Sequence, residues 1–260
     1  MKKRPRFIAF STQKGGVGKT TFTVLAASYL HYARDYNVLL VDCDYPQHSI
    51  QQMRKRDSEM LDRSQTLHEM AIELFSRIEK PTFKILCAKP EECVDDALRF
   101  IEDSDDEFDF VFFDLAGTFN NDGIIRALAQ VDYIFTPIAA DEVSLASTIS
   151  FATVIKEHIV DAVDTNIKQI YLFWNQVDGR ERTNLYEQYE RVIKSIGVPM
   201  MQTTIPSKIR FKRELSLDSN TVFRSTIFPP SRSLLKGTNF EELIGEIIEL
   251  TNDYDNEERV

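Results

Sequence analysis

The run Ser11-Thr12-Gln13-Lys14-Gly15-Gly16-Val17-Gly18-Lys19-Thr20-Thr21 has the residue types needed to hold a chain of phosphates. Gly15, Gly16 and Gly18 let the backbone curl so that successive N–H groups, including that of Val17, point at one anion, and a helix beginning there adds its positive end. Lys19 is placed to reach the outer phosphates, the Thr20 hydroxyl to ligate Mg²⁺, and Thr21 to complete the cradle. Two apolar runs end in carboxylates: Val41-Asp42-Cys43-Asp44 and Phe108 to Asp114. The second places Asp114 to hold Mg²⁺, through a water or through Thr20. Gly117 follows it closely, and its N–H is a candidate sensor of a terminal phosphate.

Short apolar runs must carry these groups. Phe7 to Phe10, Val38 to Val41, Phe110 to Phe113, Tyr133 to Thr136 and Ile170 to Phe173 alternate with longer amphipathic stretches, a pattern that predicts β-α units feeding a mostly parallel sheet. The fold class is therefore α/β, in three layers with helices on both faces. Carboxylates at the carboxyl ends of such strands face the ligand crevice. After the glycine loop, Phe22, Leu25, Ala26, Tyr29 and Leu30 predict a helix with one buried face, and Phe240, Leu243, Ile244, Ile247 and Ile248 predict a final helix. A single domain over residues 1–252 and a frayed polar tail over 253–260 are expected. The first strand begins near Met1, so no separate DNA-binding module is expected ahead of it.

Composition narrows the classes. The chain has 260 residues, 43% of them hydrophobic, and a formal net charge of −10. That balance gives no global attraction to nucleic acid, so any such contact must be local. Cys43, Cys87 and Cys93 form no CxxC pair, which argues against a zinc or iron–sulfur site and for reduced thiols. No secretory leader and no apolar run of the ~20 residues that cross a bilayer is visible, so a cytoplasmic protein is expected. His31, His48, His68 and His158 are scattered and form no nucleophile–base pair. The acidic stretch Glu102 to Asp109 lacks the ordered spacing of a calcium loop.

The glycine loop departs from GxxxxGK[ST] in carrying Gln13 at the first glycine position with Lys14 beside it. In this it resembles the deviant Walker A loop of the ParA/MinD family of ATPases. The resemblance implies ATP and Mg²⁺ as ligands, and a sandwich homodimer in which Lys14 reaches the partner's nucleotide. It also implies slow, partner-stimulated hydrolysis, with Lys14 and Lys19 neutralising phosphate charge. The Asp42 to Gln47 segment is similar to the family's DxDPQ switch. By that resemblance Asp44 orients the attacking water and Asp42 lies behind it near the metal, although Tyr45 intervenes before Pro46. Asn175, in Trp174-Asn175-Gln176-Val177-Asp178, takes the position that bonds the adenine edge, and Pro206 lies in a segment like the loop covering the base. Asn175-x-x-Asp178 also matches the guanine-reading spacing of GTPases, which leaves GTP open.

Two family outputs compete. From Ser207 to Lys236 there are seven basic residues, Lys208, Arg210, Lys212, Arg213, Arg224, Arg232 and Lys236, against two acidic ones. Such a cluster, doubled by dimerisation, suits nonspecific DNA and nucleoid association. Intramolecular ion pairing is the alternative role for these cations. Between Phe240 and Asn256 there is no Lys or Arg, which disfavours a MinD-like membrane helix. The sequence thus reads as a ParA-type switch for partition or transfer of a mobile DNA element. A nucleotide-gated protein-docking module and a MinD-like positioning ATPase are the alternatives.

Overall fold

In the computed structural model, residues 4–117, 122–139, 149–150, 153, 165–178, 184–217 and 220–257 are described. Six strands, β1 (Arg6–Phe10), β2 (Val38–Asp42), β3 (Lys84–Cys87), β4 (Phe110–Asp114), β5 (Tyr133–Ile138) and β6 (Gln169–Trp174), form one sheet. Its order is β3-β2-β4-β1-β5-β6, and every pairing is parallel. The register sets Asp42 beside Asp114 at the carboxyl ends of β2 and β4. Sequence periodicity finds five of these strands. The one it misses, β3, lies at the sheet edge, and its exposed ends, Lys84 and Cys87, break the apolar run that marks an interior strand.

Helices cover both faces. One face carries α1 (Lys19–Ala33), α2 (Ser49–Arg63), α3 (Gln65–Ile78) and the terminal α8 (Phe240–Glu257), packed on Ile8, Phe10, Leu40, Phe112 and Phe135. The other carries α4 (Cys93–Asp103), α5 (Asp122–Gln130) and α6 (Asn184–Ser195), packed on Phe7, Val41, Val111, Phe113 and Ile134. The remaining α7 (Arg232–Leu235) is one turn long.

Contrary to a one-faced helix, every residue of α1 from Phe22 to Tyr32 is buried. The chain from Val222 to Phe228 and the start of α8 close over its outer side, where the Tyr32 hydroxyl donates to Thr226 O at 2.8 Å and the Tyr29 hydroxyl to Glu241 Oε1 at 2.9 Å. A helix so enclosed shows no clean amphipathic stripe. Helix α8 buries Phe240, Leu243, Ile244 and Ile247 in the core and continues through Asp253–Glu257, where a polar tail is expected from composition. No described helix is long and apolar enough to cross a membrane.

Beyond β6 the chain returns along its edge. Leu172 N donates to Pro199 O at 3.0 Å, Met201 N to Leu172 O at 2.7 Å, and Ile205 N to Trp174 O at 2.8 Å. The irregular segment 199–207 therefore extends the sheet and lays Pro206 beside Val177.

Candidate phosphate-binding site

The loop between β1 and α1 rises from the middle of the sheet. Gly16 (φ 78°) and Gly18 (φ 95°) are left-handed, a conformation in which a side chain would be strained. Gly18 caps α1, whose first helical bond runs from Phe22 N to Gly18 O at 2.8 Å. The amides of Lys19, Thr20 and Thr21 precede that bond and have no intrahelical carbonyl to meet. A Cβ placed on Gly15 or Gly16 would meet nothing within 4 Å, so both glycines border open space.

Lys19 folds back across this curl and donates to Lys14 O at 3.2 Å. Burial lowers its pKa, opposed by the charges of Asp114 and Asp44. Gly117 packs against the ammonium: a Cβ there would lie 2.6 Å from Lys19 Nζ. The backbone after β4 and the lysine of the loop are therefore in direct contact. Lys14 is half-buried at the mouth of the loop, and Val17 is buried beneath it.

Three carboxylates converge on the other side. Asp114 is 2% exposed and accepts from Thr20 Oγ1 at 2.9 Å and from Thr23 Oγ1 at 3.4 Å. Burial raises its pKa to about 7; the nearby charges of Asp42 and Asp44 add to the rise, while the Thr20 bond and Lys19 oppose it. A carboxylate crowded in this way by other carboxylates, with a threonine hydroxyl in contact, has the donor chemistry of a hard divalent cation site. Thr20 and Asp114 therefore fit Mg²⁺.

Asp42, expected behind Asp44 near the metal, sits beside Asp114 at the strand ends and is engaged by the start of α2. Its carboxylate is fully buried and receives Ile50 N at 2.9 Å, Gln51 N at 3.0 Å and Asp44 N at 3.3 Å. His48, at the N-cap of α2, makes no side-chain cap bond, and Asp42 satisfies the helix start from the end of β2 instead. The intervening loop is strung between these points, with His48 N donating to Asp44 O at 2.7 Å. Asp44 is half-buried at its crest, close enough to bear on both Lys19 and Asp114. Tyr45, at 55% exposed, points away from the core, so the extra residue bulges outward.

Asn175 is also placed differently from a base reader. It is 5% exposed, its Nδ2 donates to Val17 O at 2.8 Å and its Oδ1 accepts Gln176 N at 2.8 Å. Its Nδ2 ties the phosphate loop to the end of β6, while Oδ1 is engaged within that strand end. Pro206 is half-buried nearby, and Asp178 lies at the same strand end.

The basic candidates divide. Lys208, Lys212 and Arg213 are exposed around a short 3₁₀ turn, Ile209–Lys212, with Ile209 itself 73% exposed. Phe211 anchors that turn by packing on Phe22 and Phe223, at ring distances of 5.9 and 5.2 Å. Lys236 and Arg232 are also exposed. Arg210 instead donates to Leu234 O and Lys236 O at 3.0 and 2.9 Å. Arg224 is the clear correction: its side chain is 14% exposed, paired with Glu214 and donating to Thr21 Oγ1. No local spacing announces this contact, because the partners lie 203 positions apart in the chain.

Residues 8–221 match a family model described as the CobQ/CobB/MinD/ParA nucleotide binding domain. An uncharacterized protein of Borreliella burgdorferi is 29% identical over 254 residues, covering 88% of this chain and 95% of that protein. A plasmid partition protein of Borrelia burgdorferi B31, solved with AMPPNP, superposes with a TM-score of 0.58 at 15% identity over 95% of this chain and 99% of its own. The cell division ATPase MinD of Pyrococcus furiosus superposes at 0.57 and 19% identity over 95% of this chain and 100% of its own. At these identities the two structures establish a shared fold.

Proposed function

The chain belongs to the CobQ/CobB/MinD/ParA nucleotide-binding family, and from that membership we propose that it is an ATP-dependent dimerisation switch of the ParA type. The observation that carries this reading is the phosphate loop itself: an open curl with Lys19 folded inside, Lys14 at its mouth, and Thr20 bonded to Asp114. The loop amides and Lys19 bind the phosphates. Lys14 serves a second subunit's nucleotide, and Asp44, on the loop between β2 and α2, orients the attacking water. When bound through Thr20 and Asp114, Mg²⁺ supplies charge neutralisation to the phosphate oxygens. Turnover is slow, is stimulated by a partner protein, and resets the dimer.

The ATP dimer binds DNA without sequence preference through Lys208, Lys212 and Arg213, with Lys236 brought alongside by the Arg210 bonds. The corresponding cellular role is partition or transfer of a mobile DNA element in the cytoplasm. The shared fold of the Borrelia burgdorferi plasmid partition protein supports that assignment. The buried apolar face of α8 leaves little to insert into a membrane, which favours DNA over a MinD-like output. A nucleotide-gated protein-docking role finds its support in a cleft of about 830 Å³ between α1, α3 and the Pro229–Arg232 turn.

Light scattering of the purified protein with ADP, and with ATP plus Mg²⁺, tests the switch; repeating it with duplex DNA at two salt concentrations tests the output. The expected result is an ATP-specific dimer that loads onto DNA and leaves at high salt. A monomer in every condition rejects the switch, and a dimer indifferent to DNA rejects the DNA output.

A further inference from the structure

Arg224 occupies an unusual place for a surface cation. One guanidinium nitrogen donates to Thr21 Oγ1, in the first turn of α1, and the other to Glu214 Oε1. Glu214 is fixed in turn by Arg56 of α2, whose Nη1 lies 2.6 Å from its second oxygen, and by a backbone bridge to Arg224 itself. Two arginines thus share one carboxylate, leaving a net positive charge beside the phosphate loop. Several nitrogens of this group, Arg224 Nε and Arg56 Nε and Nη2, are buried and meet no acceptor among the described residues.

The Thr21 hydroxyl carries the argument further. It accepts from Arg224, and its own proton has no acceptor among the described residues. Its amide is one of those ahead of the first helical bond of α1. A hydroxyl that accepts from a guanidinium donates more strongly through its proton, and that proton sits where the helix start gathers an anion.

We propose that Arg224 is a positioning residue of the nucleotide site: through Thr21 it orients and polarises a hydroxyl donor to the phosphate held at the start of α1, while Glu214 and Arg56 hold it there. This role rests on the nucleotide reading above. Because the helix start meets a phosphate of ADP as well as of ATP, Arg224 strengthens both equally.

Calorimetric titration of ADP and non-hydrolysable ATP into wild type, Thr21→Val, Arg224→Met, Arg224→Lys and the Thr21→Val/Arg224→Met double variant tests it, with melting temperatures recorded alongside. Arg224→Met is expected to weaken both nucleotides by the same factor, about tenfold. The double variant should be no weaker than Thr21→Val, and Arg224→Lys should recover part of the loss. Wild-type affinity in a folded Arg224→Met protein, or additive losses in the double variant, would overturn the proposal and leave Arg224 a structural ion pair. Should Arg224→Met fail to fold, Glu214→Gln decides: loosening the group that holds Arg224 on Thr21 must weaken ADP and ATP by one common factor, and unchanged affinity refutes the role. If wild type binds neither nucleotide, the nucleotide reading itself fails.

Discussion

Asn175 Nδ2 donates to Val17 O at 2.8 Å, so the end of β6 holds the phosphate loop from behind. The amide is buried and its oxygen is engaged by Gln176 N, which makes it a clamp on the loop. Asn175→Ala leaves the Val17 carbonyl and the Gln176 amide without these partners, at a cost of about 1–3 kcal/mol. The expected outcome is weaker binding of ATP and GTP by one common factor, read by competition titration. Loss confined to ATP would show that Asn175 reads the base.

Gly117→Ala tests the contact between that glycine and Lys19. The backbone at Gly117 is not left-handed, so alanine adds no strain there, and the added Cβ displaces only the flexible end of Lys19. We expect a melting temperature close to wild type with nucleotide affinity lowered by about ten- to a hundredfold, the worth of a hydrogen bond to a charged group. Normal affinity would mean that Lys19 moves aside without consequence.

Lys14→Ala separates binding from dimerisation. Lys14 contributes its backbone carbonyl to Lys19, and that bond survives truncation of the side chain. Nucleotide affinity should therefore change by less than about threefold, or roughly 0.7 kcal/mol, while the ATP-dependent dimer disappears from light scattering. A dimer that persists removes Lys14 from the interface.

Asp114 makes the metal-free protein sensitive to pH. Its folded pKa, about 7, lies above the ordinary carboxylate value, so the folded state binds the proton more tightly than the unfolded chain. Its contribution to stability is accordingly greatest at acid pH and falls as pH rises from about 4 to about 7. Asp114→Asn should remove that fall and raise the melting temperature above pH 7, while abolishing Mg²⁺-dependent turnover. An unchanged pH slope would show that the carboxylate titrates normally.

His31 gives the opposite slope. It is buried against Tyr32 and Phe83, donates Nε2–H to Pro81 O at 2.9 Å, and burial lowers its pKa to about 4. The folded state thus binds its proton less tightly than the unfolded chain, so the His31 contribution is full above about 6.5 and is lost as pH falls toward 4. Denaturant titrations of His31→Gln across this range should show reduced acid sensitivity. Because the two groups oppose one another, the variants resolve what the wild-type curve averages.

Much of the site is written locally. The glycine loop, Lys19, Thr20 and the aspartates after β2 and β4 are legible because phosphate binding and cation ligation depend on residues at fixed short spacings or at strand ends. Five strands and the α/β class follow from apolar runs, and the parallel sheet from their alternation with helices. Placement across long separations is different. That Asp42 caps α2, that Asn175 clamps Val17, and that Arg224 turns inward to Thr21 are all contacts between distant segments, chosen by which groups remain unpaired once the sheet and helices have packed. A lone arginine or asparagine carries no local sign of its partner. Chain pattern therefore determined the fold and the residue types of the candidate phosphate loop, and only the tertiary structure decided which polar groups hold the scaffold, because burial makes every unpaired polar group costly.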